Sequence, residues 1–384
     1  MIQRGMATMT LDTGRCPPWL FKRMVSLGRS MVEVIVSEEG SDELVRRLAD
    51  PVWFQALGTV LAFDWNASGL TTILTAALKE VVRGRERELG VAICGGKGAT
   101  SRKTPVEIER VSERLNLPLE TAQSLSYNSR MAAKVDSSLV QDGFQIYHHA
   151  FFFTRSGAWT VVQQGMNTSS VSARRYHWHS NNIKDIVCEP HTGIASAHRL
   201  GTVLDMTAGK SGKTRDMSTE LVSQSTKTLM KDIQLLATYS TPLTSMALVN
   251  AGGEKVKYLS LAHREFTHHP VEKEDFFTSP YLHKILSIVC DRKPDTYEKF
   301  LATEGVGPKT VRAIALVSEL IYGAKPSYED PARYSFAHGG KDATPYPVDR
   351  PTYDQTIETM KKYVKKARLP FFHKKKALAQ LETP

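Results

Sequence analysis

The chain lacks the cysteine patterns that mark zinc ribbons and disulfide frameworks. Its four cysteines stand far apart, with no Cys-x-x-Cys pair among them, which argues against both kinds of scaffold. No apolar run approaches the roughly 20 residues that a membrane-spanning helix needs, and residues 1–15 lack the apolar core of a signal peptide. We therefore expect a cytoplasmic protein with reduced thiols and no membrane partner.

A nucleotide-hydrolysing phosphate loop is also missing. Gly95-Gly96-Lys97-Gly98 follows a predicted strand over residues 90–94, but the spacing Gly-x4-Gly-Lys-Ser/Thr is absent. Successive glycine amides can still form a concave anion site. We therefore interpret this segment, together with Arg102 and Lys103, as a candidate grip on nucleic-acid phosphates.

An excess of positive charge is present. The net charge of +10 over 384 residues favours a polyanionic partner, DNA first and RNA not excluded. The length allows two or three domains. We expect a mixed α/β core with the candidate active site at 1–200, an exposed loop or linker at 201–216, a helical region at 217–290, and a region at 291–384 that contains two helices joined by a tight turn, the helix-hairpin-helix described below, and a basic tail.

The fold class is predicted to be α/β or α+β. Residues 144–154 and 158–166 are rich in aromatic and β-branched residues and flank a three-residue turn, which is typical of a β-hairpin. The region after it is mostly helical by its apolar spacing. Apolar clusters at 53–63 and 151–153 fit either a buried core or the interface of a homo-oligomer.

Residues 300–323, FLATEGVGPKTVRAIALVSELIYG, predict two helices joined by a tight Gly-Val-Gly turn. Glycine permits the backbone conformations of such a turn, and Pro308 suits the first turn of a helix. The segment resembles the helix-hairpin-helix of DNA-repair proteins, which holds a DNA phosphate without reading sequence. That resemblance implies binding by Gly305, Gly307, Lys309 and Thr310. The alternative is a glycine turn between two packed helices.

Lys309 has a second interpretation. In bifunctional base-excision glycosylases that share the hairpin, a lysine in this place attacks the sugar carbon as a Schiff-base nucleophile, assisted by a downstream aspartate. Here Asp330 is displaced from the family's spacing and Ser327 stands nearer the expected position. A lysine in this place is also common in hairpins that only bind phosphate.

Polar side chains interrupt the apolar strands of the predicted β-hairpin. Strand alternation places one histidine and one glutamine on each face, and burying such groups without partners is costly. The residues are therefore either a hydrogen-bonded part of the core or a functional site. The catalytic candidates of this group are His148, His149, Gln163 and Glu189, and the candidate nucleic-acid contacts are Arg174 and Arg175.

Asp64 ends an apolar run and is the main candidate for a metal ligand. A carboxylate in that position suits a hard cation such as Mg²⁺ or Mn²⁺, which can activate water on a phosphodiester. Glu189 and His149 are the expected co-ligands. The alternative is that Asp64 caps the helix that follows.

The basic tail contains eight Lys or Arg residues and no acid between positions 361 and 376. On a helix, Lys361 and Lys365 fall on one side, where they would follow a DNA backbone and give salt-dependent binding. The same charges also fit an ordinary solvated face.

A wider resemblance rests on GMATMTLDTGRCPPWLFKRMV, LAFDWNASGLTT, GGKGATSRKTP, YHHAFFF, WTVVQQGMN, ARRYHW, EPHTG and GVGPKT. With these segments the chain resembles, over nearly its whole length, a bacterial and archaeal family known only as a domain of unknown function. The resemblance implies one conserved architecture and no particular activity. The residues themselves lead us to expect a metal-dependent DNA nuclease, ahead of a non-catalytic DNA-repair binder and ahead of a glycosylase or abasic-site lyase using Lys309.

Overall fold

The structure, a computed structural model, describes residues 11, 15–61, 68–196, 199–240, 249–251, 254–256, 279–332 and 350–382. The chain divides into two compact units. The sheet unit comprises Met1–Asp136, Gly143–Leu200 and Pro331–Pro384, and the helical unit comprises Ser137–Asp142 and Gly201–Asp330. Among the described residues, no helix combines the length and the apolar character that crossing a membrane requires.

The sheet unit begins with helices and continues into strands, which confirms a mixed α/β class. Its helices are α1 (Pro18–Glu39), α2 (Ser41–Leu48), α3 (Pro51–Val60), α4 (Gly69–Val82), α5 (Glu86–Leu89), α6 (Ala99–Arg102), α7 (Thr104–Ser112) and α8 (Leu119–Ser138), whose last two residues belong to the helical unit. The apolar run that begins at residue 53 lies in α3 as far as Val60. Asp50 caps that helix through the amides of Val52 and Trp53.

Five antiparallel strands form the sheet in the order β1-β3-β4-β5-β6. Its strands are β1 (Val91–Lys97), β3 (Gln145–Thr154), β4 (Trp159–Asn167), β5 (Ser172–His179) and β6 (His191–Ser196). The predicted β-hairpin is therefore present as β3 and β4, with His149 paired to Gln163 and His148 to Gln164. Ala150, Phe152 and Val162 join the apolar core formed with α1–α4.

The apolar clusters around Trp53 and Phe151–Phe153 are buried within the single chain. Phe151, Phe152 and Phe153 are fully buried, and Trp53 is 5% exposed. They serve as core here, and an oligomeric state stays a prediction.

The helical unit contains the short strands β2 (Val140–Gln141) and β7 (Leu204–Asp205), which pair with each other. Strands β8 (Val249–Ala251) and β9 (Glu254–Val256) form a second pair. The helices are α9 (Gly212–Ser223), α10 (Thr226–Ser240), α11 (Pro280–Arg292), α12 (Tyr297–Ala302) and α13 (Pro308–Leu320).

The expectation of an exposed loop at residues 201–216 is wrong. Val203, Leu204 and Met206 are buried, and residues from Gly212 onward belong to α9. Arg215 donates to the carbonyl oxygens of Met206 at 2.7 Å and Ala208 at 2.9 Å. The Gly/Lys-rich composition suggested a linker, but side chains of this segment reach acceptors and apolar neighbours inside the unit.

The basic tail is part of the sheet unit, and the expected single region at 291–384 is divided between the two units. The tail forms α14 (Arg350–Lys366) and α15 (Phe371–Glu382). Met360, Tyr363, Val364 and Ala367 are buried at helical spacing, and α14 packs against α1. Its apolar face therefore fixes it as a structural element.

We expect Gly305→Ala to destabilise the turn between α12 and α13. Gly305 has φ +85°, and a Cβ atom there would lie 2.2 Å from Cδ1 of the buried Ile285. The backbone strain and the clash should lower the free energy of unfolding by about 1–3 kcal/mol, measured by urea denaturation. Gly307 is the matched control, because its φ is negative and a Cβ there meets nothing within 4 Å. Equal stability losses in the two alanine variants would contradict this account.

Candidate functional site

The turn between α12 and α13 is held by a side chain of α11 and by a backbone hydrogen bond to the end of α12. The hydroxyl of Tyr281 donates to the carbonyl of Gly305 at 3.2 Å. Val306 is 3% exposed, and its amide donates to the carbonyl of Thr303 at 3.2 Å. The turn is thus fixed at Gly305 and at Val306, and these contacts set the direction in which α13 begins.

The start of α13 is open. The amides of Lys309 and Thr310 lie in the first turn of the helix, where no intrahelical acceptor exists. Among the described residues, no side chain caps this helix and accepts from them instead. The dipole of the 13-residue helix adds partial positive charge at this end. Lys309 is half-buried, and within the described part of the chain it has no carboxylate partner. The side chain of Thr310 is 2% exposed, so only its amide is available to a ligand.

The rest of α13 is packed, as its sequence predicts. Six of its apolar side chains are buried, namely Val311, Ala313, Ile314, Ala315, Leu316 and Val317. Beyond the first turn, Arg312 donates to the side-chain oxygen of Gln141 at 2.7 Å, and Gln141 donates to the carbonyl of Pro308 at 3.0 Å. Packing on several sides leaves the N-terminal turn as the part of the helix that can approach a ligand.

The histidines of β3 point to opposite faces of the sheet, as strand alternation predicts. Nε2 of His148 lies 3.0 Å from the hydroxyl of Thr75 on α4. The ring of His149 points to α8, with Nε2 2.8 Å from the hydroxyl of Ser129 and Nδ1 2.9 Å from Oε1 of Gln163. Burial lowers the pKa of His148 to about 3 and that of His149 to about 4, so both rings are neutral near pH 7.

A fully buried carboxylate connects side chains on the face of the sheet to which His149 points. Asp136, near the end of α8, accepts hydrogen bonds from the side-chain amide of Gln163 and from the indole of Trp178, the latter at 3.1 Å. Its other oxygen lies 2.5 Å from Nε2 of His191. Burial raises the pKa of Asp136, and the neighbouring His191 opposes that rise. Sequence reasoning missed Asp136 because an isolated aspartate in a helix carries no motif.

The network from Ser129 through His149 and Gln163 to Asp136 is closed to solvent. Each of these four side chains is at most 3% exposed, and all find partners within the protein. An arrangement of this kind joins the sheet to α8. His149 and Gln163, expected as catalytic groups, therefore act in this structure as buried hydrogen-bonding groups.

The two described members of the expected metal site do not fit a metal. Both ring nitrogens of His149 are already hydrogen-bonded, and Glu189 is exposed in the segment before β6. Asp64 lies outside the described residues. Across the ranges that the structure describes, no three His, Cys, Asp or Glu side chains are grouped to bind an ion, and we derive no metal-dependent step.

Arg174 and Arg175 are completely buried, which corrects their interpretation as nucleic-acid contacts. The guanidinium of Arg175 donates to Oε1 of Gln55 at 3.0 Å and lies 4.5 Å above the ring of Phe54. Arg174 donates to the hydroxyl of Ser196 at 3.2 Å. Arg174 thus joins β5 to β6 and Arg175 joins β5 to α3, so their charges do not reach a phosphate in solvent.

The glycine segment after the predicted strand is the end of β1 rather than a loop of open amides. The amide of Gly95 donates to the carboxylate of Glu107 at 2.7 Å, and that of Gly98 donates to the carbonyl of Tyr147 at 2.8 Å. These amides are therefore not free for a phosphate. Side chains of the segment remain available, because Lys97, Arg102 and Lys103 are exposed.

Acidic residues far away in the sequence neutralise part of the basic tail. Lys366 forms a salt bridge with Glu38 on α1, and Lys362 lies 3.6 Å from Glu39. Lys361 pairs with Glu358 at 3.2 Å, whereas Lys365 is exposed. The tail therefore offers less unpaired positive charge to an anionic partner than its sequence suggests.

We expect the protein to lose stability as the pH falls from about 7 to about 5. In the unfolded chain His149 takes up a proton near pH 6.5, but in the fold its pKa is about 4. The unfolded state then binds more protons, and acid favours unfolding, by about 1 kcal/mol per pH unit for one such histidine. His149→Gln should reduce the slope of the unfolding free energy against pH by that amount, measured by urea denaturation. An unchanged slope would show that His149 is not kept neutral by folding.

Comparison with known proteins gives one match. A family model described as "Protein of unknown function (DUF763)" matches residues 5–348. No curated protein and no solved structure matches the chain.

Proposed function

The chain belongs to the family described as a protein of unknown function (DUF763), and we propose that it binds DNA. The proposed contact is the turn and the first residues of α13, which together act as a helix-hairpin-helix. The observation that carries the proposal is an uncapped helix start with an unpaired lysine beside it.

Electrostatics supports a phosphate at this position. The amides of Lys309 and Thr310 have no intrahelical acceptor, and an anion at a helix N-terminus satisfies them while it meets the positive end of the dipole. The ammonium of Lys309 adds a full charge. A DNA phosphate supplies the acceptor oxygens and the negative charge that this arrangement requires.

Steric access supports the same ligand. A Cβ atom at Gly307 would meet nothing within 4 Å, so the space beside its backbone is empty and a ligand can approach closely. The hydrogen bond from Tyr281 to Gly305 and the contact with Ile285 fix the turn. A turn that is already ordered loses little conformational entropy when it binds.

Contacts of this kind recognise the backbone and not the bases. Phosphate contacts position a protein on DNA and carry no direct sequence information. We therefore expect binding that is insensitive to sequence and strongly dependent on salt.

We expect Lys309→Ala to weaken binding to duplex DNA about equally for unrelated sequences, and to lower the slope of log affinity against log salt by about one. Gly307→Ala should weaken binding several-fold without loss of stability, because the added methyl group occupies the space of the phosphate and touches nothing in the free protein. Fluorescence anisotropy with end-labelled duplexes at several salt concentrations measures both effects.

Lys227→Ala is the matched control for charge. Lys227 is exposed on α10 of the same unit, and its loss should leave the affinity nearly unchanged. Equal weakening by Lys227→Ala and Lys309→Ala would mean that binding follows net charge alone and would overturn the hairpin assignment.

The same DNAs can be tested for cleavage with Mg²⁺, with Mn²⁺ and with EDTA. Metal-dependent cleavage that is lost in Asp64→Ala would extend the proposal to a nuclease. Borohydride trapping on abasic DNA that is lost in Lys309→Ala would instead assign a lyase nucleophile to the hairpin.

A further inference from the structure

The sheet unit contains a cavity of about 460 Å³ bounded by α1, α4, β1 and β3. This volume falls in the usual range for small-molecule sites. One side of the cavity is apolar, formed by Phe21, Ile73, Ile93 and Ala150. The other side carries cations, so the cavity suits a ligand with one apolar or planar part and one anionic part.

Three cations line the cavity, and one carboxylate compensates one of them. Lys79 pairs with Glu107 at 2.7 Å and donates to the carbonyl of Gly95 at 2.9 Å, so its ammonium is held in place. Lys97 and Arg15 are exposed. No acidic side chain in the described ranges pairs with either of them, and the lining therefore keeps an excess of positive charge.

Lys97 and a flat ring stand together on the cavity lining. The ammonium of Lys97 lies 5.6 Å from the centre of the Tyr147 ring. Pairing of β1 with β3 sets Lys97 opposite His148, the next residue after Tyr147. The strand register thus places a charge for a phosphate beside an aromatic surface.

His148 forms part of the same lining and is held by a hydrogen bond. The hydroxyl of Thr75 lies 2.8 Å from the carbonyl of Thr71, to which it donates its one hydrogen, so it accepts from Nε2–H of His148. Nδ1 then carries the lone pair. This atom is enclosed by protein atoms and presents no surface to the cavity, so His148 helps to fix the wall and offers no contact to a ligand.

We infer that this cavity binds a nucleoside monophosphate group. Lys97 and Arg15 hold the phosphate, and the apolar wall and Tyr147 receive the nucleoside. Phosphate alone offers no group for the apolar wall. The group comes either from a free nucleotide or from the phosphorylated end of a nucleic-acid strand.

The test is calorimetric titration of the full chain with AMP, GMP, CMP and UMP, and with adenosine and inorganic phosphate. At least one nucleotide should bind more tightly than phosphate and than its nucleoside. Lys97→Gln should weaken that binding about tenfold, equivalent to about 1.4 kcal/mol. Ala76→Trp places a large side chain at an exposed position of the lining and should abolish binding without disturbing the core.

Lys184→Gln is the matched control, because Lys184 is exposed in the same unit and lies outside the cavity lining. The affinity of the Lys184→Gln variant for the nucleotide should equal that of the parent protein. Absence of nucleotide binding, equal affinity in the parent and Ala76→Trp, or phosphate binding as tightly as every nucleotide would each overturn the inference.

The source of the group is decided with short oligonucleotides in the Gly307→Ala background, which removes the proposed hairpin contact. Competition by a 5′-phosphorylated strand but not by its 5′-hydroxyl form would assign the cavity to strand ends. Competition by neither would assign it to free nucleotides. Titration with mononucleotides does not involve the proposed hairpin contact. A failure of DNA binding at the hairpin would therefore contradict the proposed function, and the mononucleotide titration would still decide whether the cavity binds nucleotides.

Discussion

Helices cover both faces of the central sheet, and this coverage favours hydrogen-bond partners inside the protein for the buried polar side chains of β3, β4 and β5. Asp136 meets that requirement on one face, where it joins α8 to three strands through Gln163, Trp178 and His191. On the other face Gln55 and Thr71 accept from Arg175. An unpartnered polar group in this interior would cost as much as a lost core side chain. The density of histidine, arginine and glutamine is therefore explained by the second helical layer.

The strands, their hairpin and most helices of the sheet unit could be predicted from local pattern, because aromatic and β-branched alternation and helical apolar spacing reflect burial directly. The role of the segment ARRYHWH could not. Its charges and rings suit a phosphate site as well as a core, and the difference depends on α8 and α3, which lie far from it in sequence. The tail was misleading for the same reason, since Glu38 and Glu39 lie more than 300 positions from their partners.

The turn between α12 and α13 was predictable because its chemistry is local. Gly305 adopts φ +85°, as a turn glycine is expected to do, and Pro308 opens the helix. Gly307, by contrast, is extended and has open space beside it. The fold therefore requires glycine at position 305 and not at position 307. The open side of Gly307 is the approach that the proposed phosphate contact would use.

Pairing with acidic side chains separates the cations that serve the fold from those that stay open to a ligand. Arg46 and Arg47 pair with Glu43, Arg85 with Glu33 and Lys366 with Glu38, so these cations serve the fold. Burial and pairing with distant acids remove Arg174, Arg175 and much of the tail from contact with a polyanion. Within the part of the chain that the structure describes, Lys309 at the helix start and Lys97 and Arg15 at the cavity remain unpaired. A net charge of +10 is therefore informative about ligands only after the paired cations are subtracted.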